Sequence, residues 1–225
     1  MSTEWNGRHV FITGGSGGLG ASVIEAFVTR GATVLVPSKG EVPQGARALP
    51  SVDVTNEDAV VALYASLPPL WASIHLVGGF LYESATTTSF AALQAQLTIN
   101  LSSAFLCTRE AVKNMRAGGK GGRIVNVGSR AVDVDPPSMM CAYAAAKAAV
   151  IAMSRSVAAE VRQDNILVNV VAPTLFDTAA NRKMMPDAPH ERWLKPVQIA
   201  EAIAWLASAS NQVTTGSVLR IAGTD

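Results

Sequence analysis

Short apolar runs rich in Val and Ile alternate along this chain with longer stretches in which apolar positions recur at helical spacing. The runs near 8–13, 32–36, 47–52, 73–78, 122–128, 165–171 and 217–221 read as strands. The stretches near 18–30, 56–66, 89–117 (in one or two pieces), 141–162 and 197–208 read as helices. Strands this uniformly apolar, alternating regularly with helices, are the mark of a parallel sheet covered on both faces. The pattern predicts an α/β fold with one doubly wound parallel sheet of about seven strands. In the last helix Ile199, Ile203 and Leu206 form a stripe that reads as core packing.

One crossover is short. Between the second strand and Asp53 lie Pro37, Gly40, Pro43 and Gly45, which leave little room for a helix. The chain is expected to cross there as a loop, followed by one short strand.

Length and composition narrow the class. The 225 residues suffice for one full doubly wound domain and are short for two, so residues 1–225 read as one domain. Net charge is +1 with 16% charged residues, and no basic run supplies an electrostatic footprint for nucleic acid. No apolar run approaches the ~20 residues of a membrane span, and the N-terminus lacks a signal-peptide core. These features lead to the expectation of a cytoplasmic protein with neither nucleic acid nor membrane as partner. Cys107 and Cys141 fall in helical stretches without metal-ligand spacing and read as buried or half-buried thiols. His9 and His75 read as strand-edge or core residues, and no metal constellation is present.

The chemistry lies in four short stretches. Thr13-Gly14-Gly15-Ser16-Gly17-Gly18-Leu19-Gly20 follows the first apolar run and opens the first helix. Glycines at such a turn let backbone approach a pyrophosphate, and the helix N-terminus offers free N–H groups and a positive dipole end. Ser129 follows the fifth strand. Tyr143 and Lys147 lie 14 and 18 residues later on the next helix, four apart and therefore on one face. With Asn100 they describe a nicotinamide-dependent oxidoreductase.

With these motifs the whole chain resembles the short-chain dehydrogenase/reductase family, whose fold is a Rossmann-type sheet. The family's Thr-Gly-x-x-x-Gly-x-Gly is met by Thr13, Gly14, Gly18 and Gly20, and its catalytic Asn, Ser, Tyr and Lys by Asn100, Ser129, Tyr143 and Lys147. The aspartate beside the adenine corresponds to Asp53, in Val52-Asp53-Val54, and the Pro-x-x-x-x-Thr after the sixth strand to Pro173 and Thr178. The resemblance implies cofactor contacts at these positions and at Ser16, Leu19, Val54, Gly78, Gly79, Tyr143 and Lys147. It implies that Tyr143 exchanges a proton with a carbonyl or alcohol oxygen, which Ser129 hydrogen-bonds. Lys147 would bind the nicotinamide ribose, and its charge would favour the phenolate, whose ordinary pKa is about 10. Asn100 would help hold a water that leads protons to bulk. A homo-oligomer, tetramer or dimer, is expected through helices 101–117 and 141–162, which are long and rich in Ala, Val and Met.

The expected cofactor is NADP. An acid at the end of the second strand would bind both ribose hydroxyls and repel a 2′-phosphate. Here that strand ends in Pro37-Ser38-Lys39, a hydroxyl and a cation. NAD stays open, because Ser16 and Gly17 stand where NADP-type members often carry a basic residue, and Glu41 is near.

Two departures from the family pattern bear on substrate. Leu76-Val77-Gly78-Gly79 replaces Asn-Asn-Ala-Gly, and Pro173-Thr174 replaces Pro-Gly. The Gly78-Gly79-Phe80 turn and residues 177–188, followed by Trp193, are similar to dihydropteridine reductase, which reduces a quinonoid pterin. That pterin reductase manages without the serine, and Ser129 is present here. A small-molecule carbonyl or alcohol therefore ranks first and a pterin second. A non-catalytic dinucleotide-sensing protein, which often loses the Tyr or Lys, ranks third. Residues 131–140 and a lid near 174–195 are expected to surround the substrate. Met139, Met140, Met184, Met185, Phe80 and Trp193 would either line an apolar pocket or pack the lid against the body, and Asp133 and Asp135 read as solvated loop carboxylates.

Overall fold

The computed structural model describes residues 3–132 and 138–223. Asp133 and Asp135 lie outside the described residues.

Seven strands form one sheet: β1 (His9–Thr13), β2 (Thr33–Pro37), β3 (Ala46–Leu49), β4 (Ala72–His75), β5 (Gly122–Val127), β6 (Ile166–Pro173) and β7 (Val218–Ile221). Their order is β3-β2-β1-β4-β5-β6-β7, and every neighbouring pair is parallel. The helices are α1 (Gly20–Val28), α2 (Glu57–Ala65), α3 (Phe90–Gln96), α4 (Ser103–Gly118), α5 (Cys141–Glu160), α6 (Ala179–Met184) and α7 (Pro196–Ala207).

Side chains that alternate along a strand point to opposite faces, and two cores follow from that period. Val10 and Ile12 of β1, Val34 and Val36 of β2 and Val125 of β5 pack with α1 and α7. Their intervening neighbours Phe11, Leu35 and Ile124 pack with α2 and α4 on the other face. The chain reverses strand order between β1 and β4. A crevice opens at the carboxyl ends of those two strands, and ligands of open α/β sheets bind at such a point.

Several boundaries differ from the sequence reading for local reasons. β3 stops at Leu49 because Pro50 follows and has no N–H for the ladder. β4 stops at His75, so residues 76–80 form a loop at the crevice, not the end of a strand. Residues 89–117 divide: Leu97–Ser102 is a π-helical segment between α3 and α4. Residues 38–45 form a loop as expected. Phe90–Gly118, taken as one helical stretch, is by length and hydropathy apolar enough to cross a membrane, contrary to the sequence reading. Much of its apolar surface nevertheless faces the core, through Leu106, Cys107, Ala111, Val112 and Met115. Cys107 is buried as expected, whereas Cys141 is exposed at the start of α5.

A buried polar network stitches β4 and β5 to α2, α4 and α5. His75 Nδ1 lies 2.8 Å from Asn126 Oδ1, and Nε2 lies 2.8 Å from Ser73 Oγ and 3.3 Å from the Tyr64 hydroxyl. The Asn126 amide donates to Ser154 Oγ at 3.0 Å and Thr108 Oγ1 at 3.2 Å. The network assigns the proton to Nδ1 of a neutral ring, and burial lowers the His75 pKa to about 4 against a weaker upward pull from Asn126. An unfolded imidazole takes up a proton near 6.5. The unfolded state therefore binds more protons between pH 4 and 6.5, and stability falls as pH drops through that interval. We expect this residue to contribute a slope of about 1.4 kcal/mol per pH unit. Urea midpoints measured from pH 7 to 4 should lose that component in His75→Gln; an unchanged slope refutes the assignment.

Candidate active site

The glycine loop is built for close approach. Gly14 has φ +74°, and a Cβ there would stand 2.9 Å from the backbone of Leu76 and Val77 in the facing loop. A Cβ on Gly20 would meet the Gly15 carbonyl oxygen at 2.1 Å, so the turn from β1 into α1 closes only with glycine. No side chain caps α1, whose N-cap residue is Leu19. Its first turn lacks the usual Ser or Asp oxygen. Ser16, Gly17 and Gly18 are exposed, and Thr13 Oγ1 is a buried hydroxyl without a hydrogen-bond partner. A cradle without side chains, an uncapped helix N-terminus and an orphaned hydroxyl fit a dinucleotide pyrophosphate.

Across the crevice, Gly78 and Gly79 follow β4. A Cβ on Gly78 would stand 2.8 Å from Asn100 Oδ1 and 3.1 Å from Lys147 Nζ. Glycine is therefore demanded here by two side chains of the protein, beyond any approach of cofactor. Asn100 sits buried in the π-helical segment and brackets Gly79: Oδ1 accepts from the Gly79 N–H at 3.2 Å, and Nδ2 donates to its carbonyl at 3.1 Å. Nδ2 also lies 3.2 Å from Oε1 of Gln96, a buried glutamine that the sequence reading missed. A wide turn at a polar residue is common where a helix serves a site.

Ser129, Tyr143 and Lys147 converge beside this bracket. Lys147 is buried, and its Nζ donates to the Val127 carbonyl at 2.9 Å, which pins α5 to the end of β5. Burial brings its pKa down to about 8. Burial also pushes the Tyr143 phenol above its ordinary value, opposed by the hydrogen bond with Ser129.

Gly18 touches Thr178: a Cβ there would come within 2.6 Å of Thr178 Cγ2. Thr178 caps α6 by accepting from Asn181 N–H at 3.1 Å, and Pro173 ends β6. Ser38 Oγ accepts from Gly40 N–H at 3.2 Å, and Lys39 is exposed beside it. Asp53 turns its carboxylate to the Thr55 N–H (2.9 Å) and hydroxyl (2.7 Å), which hold its pKa down with a smaller contribution from Lys39. The Val54 side chain lies in the core.

Residues 174–195 fold back on themselves. Asp177 binds Arg182 through both oxygens (2.5 and 2.8 Å) and Lys195 (2.7 Å), and Phe176 pairs with Leu194. Of the two roles open to Trp193, pocket lining and lid packing, the structure shows the second: it is buried against His190, with ring centroids 4.5 Å apart. Among the described residues no cluster of metal-binding side chains occurs.

The short chain dehydrogenase model matches residues 8–189. The chain belongs to this family. It is 32% identical to cis-4-hydroxycyclohexanecarboxylate dehydrogenase of Sinomonas cyclohexanicum, over 99% of this chain and 98% of that one. A solved short chain dehydrogenase/reductase family protein superposes with TM-score 0.88 at 28% identity, covering 97% of both chains. ElxO with NADP bound superposes with TM-score 0.86 at 23% identity, over 96% of this chain and 97% of that one, and shares the fold. As a family member the protein is an oxidoreductase that exchanges hydride with a nicotinamide cofactor.

Proposed function

We propose that the protein interconverts a small carbonyl compound and its alcohol with NADP, using Tyr143 as the proton donor and acceptor. The observation that carries this reading is the meeting of Ser129 and Tyr143, near enough for the serine hydroxyl to act on the phenol, with buried Lys147 and Asn100 both beside Gly78 after β4. The nicotinamide, when bound, supplies or accepts the hydride. Ser129 and Tyr143 hold the substrate oxygen between two hydroxyls, and Tyr143 gives up or takes the proton. Lys147 holds a ribose hydroxyl and anchors α5 through Val127. Asn100 keeps Gly78 and Gly79 in place and holds the water that passes protons outward. Residues 174–195, anchored through Asp177, act as the substrate lid. Cofactor consumption with a panel of ketones, aldehydes and alcohols, with quinonoid dihydropterin included, tests the reading. The similarity of residues 177–188 to dihydropteridine reductase keeps the pterin as the second reading.

NADP is supported by Ser38 and Lys39 at the end of β2, where no acid stands. Lys39 is exposed there and near enough to Asp53 to lower the carboxyl's pKa slightly. Catalytic efficiency is expected to favour NADPH over NADH. Lys39→Asp should shift that ratio toward NADH by on the order of tenfold or more, as loss of a charged hydrogen bond and gain of repulsion imply. A native preference for NADH overturns the assignment.

Homo-oligomerisation belongs to the same proposal. Phe105 on α4 is 44% exposed, and Ala145, Ala148 and Ala152 put an uncharged surface on the outside of α5. Light scattering reads the outcome directly, and a monomer at working concentration counts against it.

A further inference from the structure

Phe80 stands at the mouth of the site with nothing in the mechanism to explain it. Its ring centroid lies 5.1 Å from that of Tyr143 with the planes at 74°, so the two rings form a corner. Phe80 is nonetheless 47% exposed, which leaves much of the ring open. Its place is fixed from below, because Asn100 holds both the N–H and the carbonyl of Gly79. It is fixed from beyond as well: the Glu83 N–H donates to the Met139 carbonyl at 2.7 Å, and Glu83 pairs with Met140, tying this loop to the segment that enters α5. Met139 adopts φ +63° there, a conformation that a residue of this kind holds only when its surroundings impose it. Tyr82 and Met139 are themselves 58% and 42% exposed, and they continue the apolar surface.

We propose that Phe80 is the specificity-determining residue of this site and that the substrate carries a flat unsaturated ring next to its carbonyl, as in an aryl ketone. The inference rests on the reading of Tyr143 as the group that meets the carbonyl oxygen. A carbonyl held between Ser129 and Tyr143 extends its substituent alongside the phenol, where Phe80 is the aromatic surface. Aromatic rings pair offset-stacked or edge to face, with centroids 4.5–7 Å apart. A flat ring can stack on one wall of the corner and present its edge to the other. A puckered saturated ring of the same size satisfies neither contact, so it gains the burial without the aromatic pairing.

The test compares acetophenone with cyclohexyl methyl ketone, which share a carbon skeleton and differ in ring flatness. With NADPH the native enzyme should favour acetophenone about tenfold in kcat/KM, mainly through KM. Phe80→Leu should bring that ratio close to one, and Phe80→Tyr should keep it. An unchanged ratio in Phe80→Leu, or an equal loss for both ketones, overturns the proposal, the latter because Phe80 would then serve only to orient Tyr143. A second arm does not depend on proton transfer. Saturation-transfer NMR on the enzyme loaded with NADP+ should show acetophenone bound by the native protein and by Phe80→Tyr, and much less by Phe80→Leu. Binding without turnover would sink the role given to Tyr143 while sustaining the ring-binding site; no binding to the native protein would refute the site itself.

Discussion

Tyr143→Phe is expected to lower turnover by about 10²–10⁴-fold while cofactor affinity stays within a few fold of native, the size of effect usual for a positioned acid or base. The substitution removes one oxygen and keeps the ring, so the packing against Phe80 survives. The glycine loop and the start of α1, which lie on the other side of the crevice, are untouched. Single-turnover rates and a fluorescence titration with NADPH separate the two quantities. Substantial residual turnover in the purified variant removes Tyr143 from the proton-transfer role. The raised pKa of the phenol sharpens the expectation: without bound ligands Tyr143 is a protonated donor across the neutral range, held so by burial. Lys147, brought down to about 8, titrates first. An activity profile that changes near pH 8 and is absent from Lys147→Arg would assign that step to the ammonium.

The legible and illegible parts of this chain divide by physical cause. The seven strands and most helices are visible because burial on both faces of a sheet leaves a run of Val and Ile that little else in a soluble chain produces. Val10, Phe11 and Ile12 show why such a run does not alternate: successive residues enter different cores, and both cores are dry. The glycine loop is visible because the turn excludes every side chain. What the sequence conceals depends on contacts made at a distance. Gln96 stands four residues before Asn100, on the same helix face, but its burial and its contact with Asn100 at 3.2 Å are set by the packing around the π-helical segment and not by any local pattern. α6 has six residues, too few for a periodic pattern. The sequence leaves Trp193 open between pocket and lid packing, and its burial against His190 follows from a fold-back that local spacing does not encode. Spacing places Lys147 on the same helix face as Tyr143, but only the structure shows that its Nζ also donates to the Val127 carbonyl and so ties α5 to β5.

Ser129→Ala carries the other large expected effect and separates the two substrate classes. If Ser129 holds a carbonyl oxygen with Tyr143, its hydrogen bond strengthens as negative charge develops on that oxygen. Loss of one such donor costs about 10²–10³-fold in kcat. Ketone reduction by Ser129→Ala should fall by that order with cofactor affinity unchanged, since the glycine cradle is remote from the substitution. A quinonoid pterin receives hydride without an oxygen that needs holding, so its reduction should be nearly indifferent to the serine. Ser129 is buried, and alanine leaves a space no larger than one hydroxyl, which makes collapse of the site a poor explanation for a selective loss. Both reactions measured on one preparation decide the matter. A pterin activity that ignores the substitution, in an enzyme whose native form reduces no ketone, would make the pterin the substrate class and leave Ser129 as a hydrogen-bond partner for Tyr143 alone.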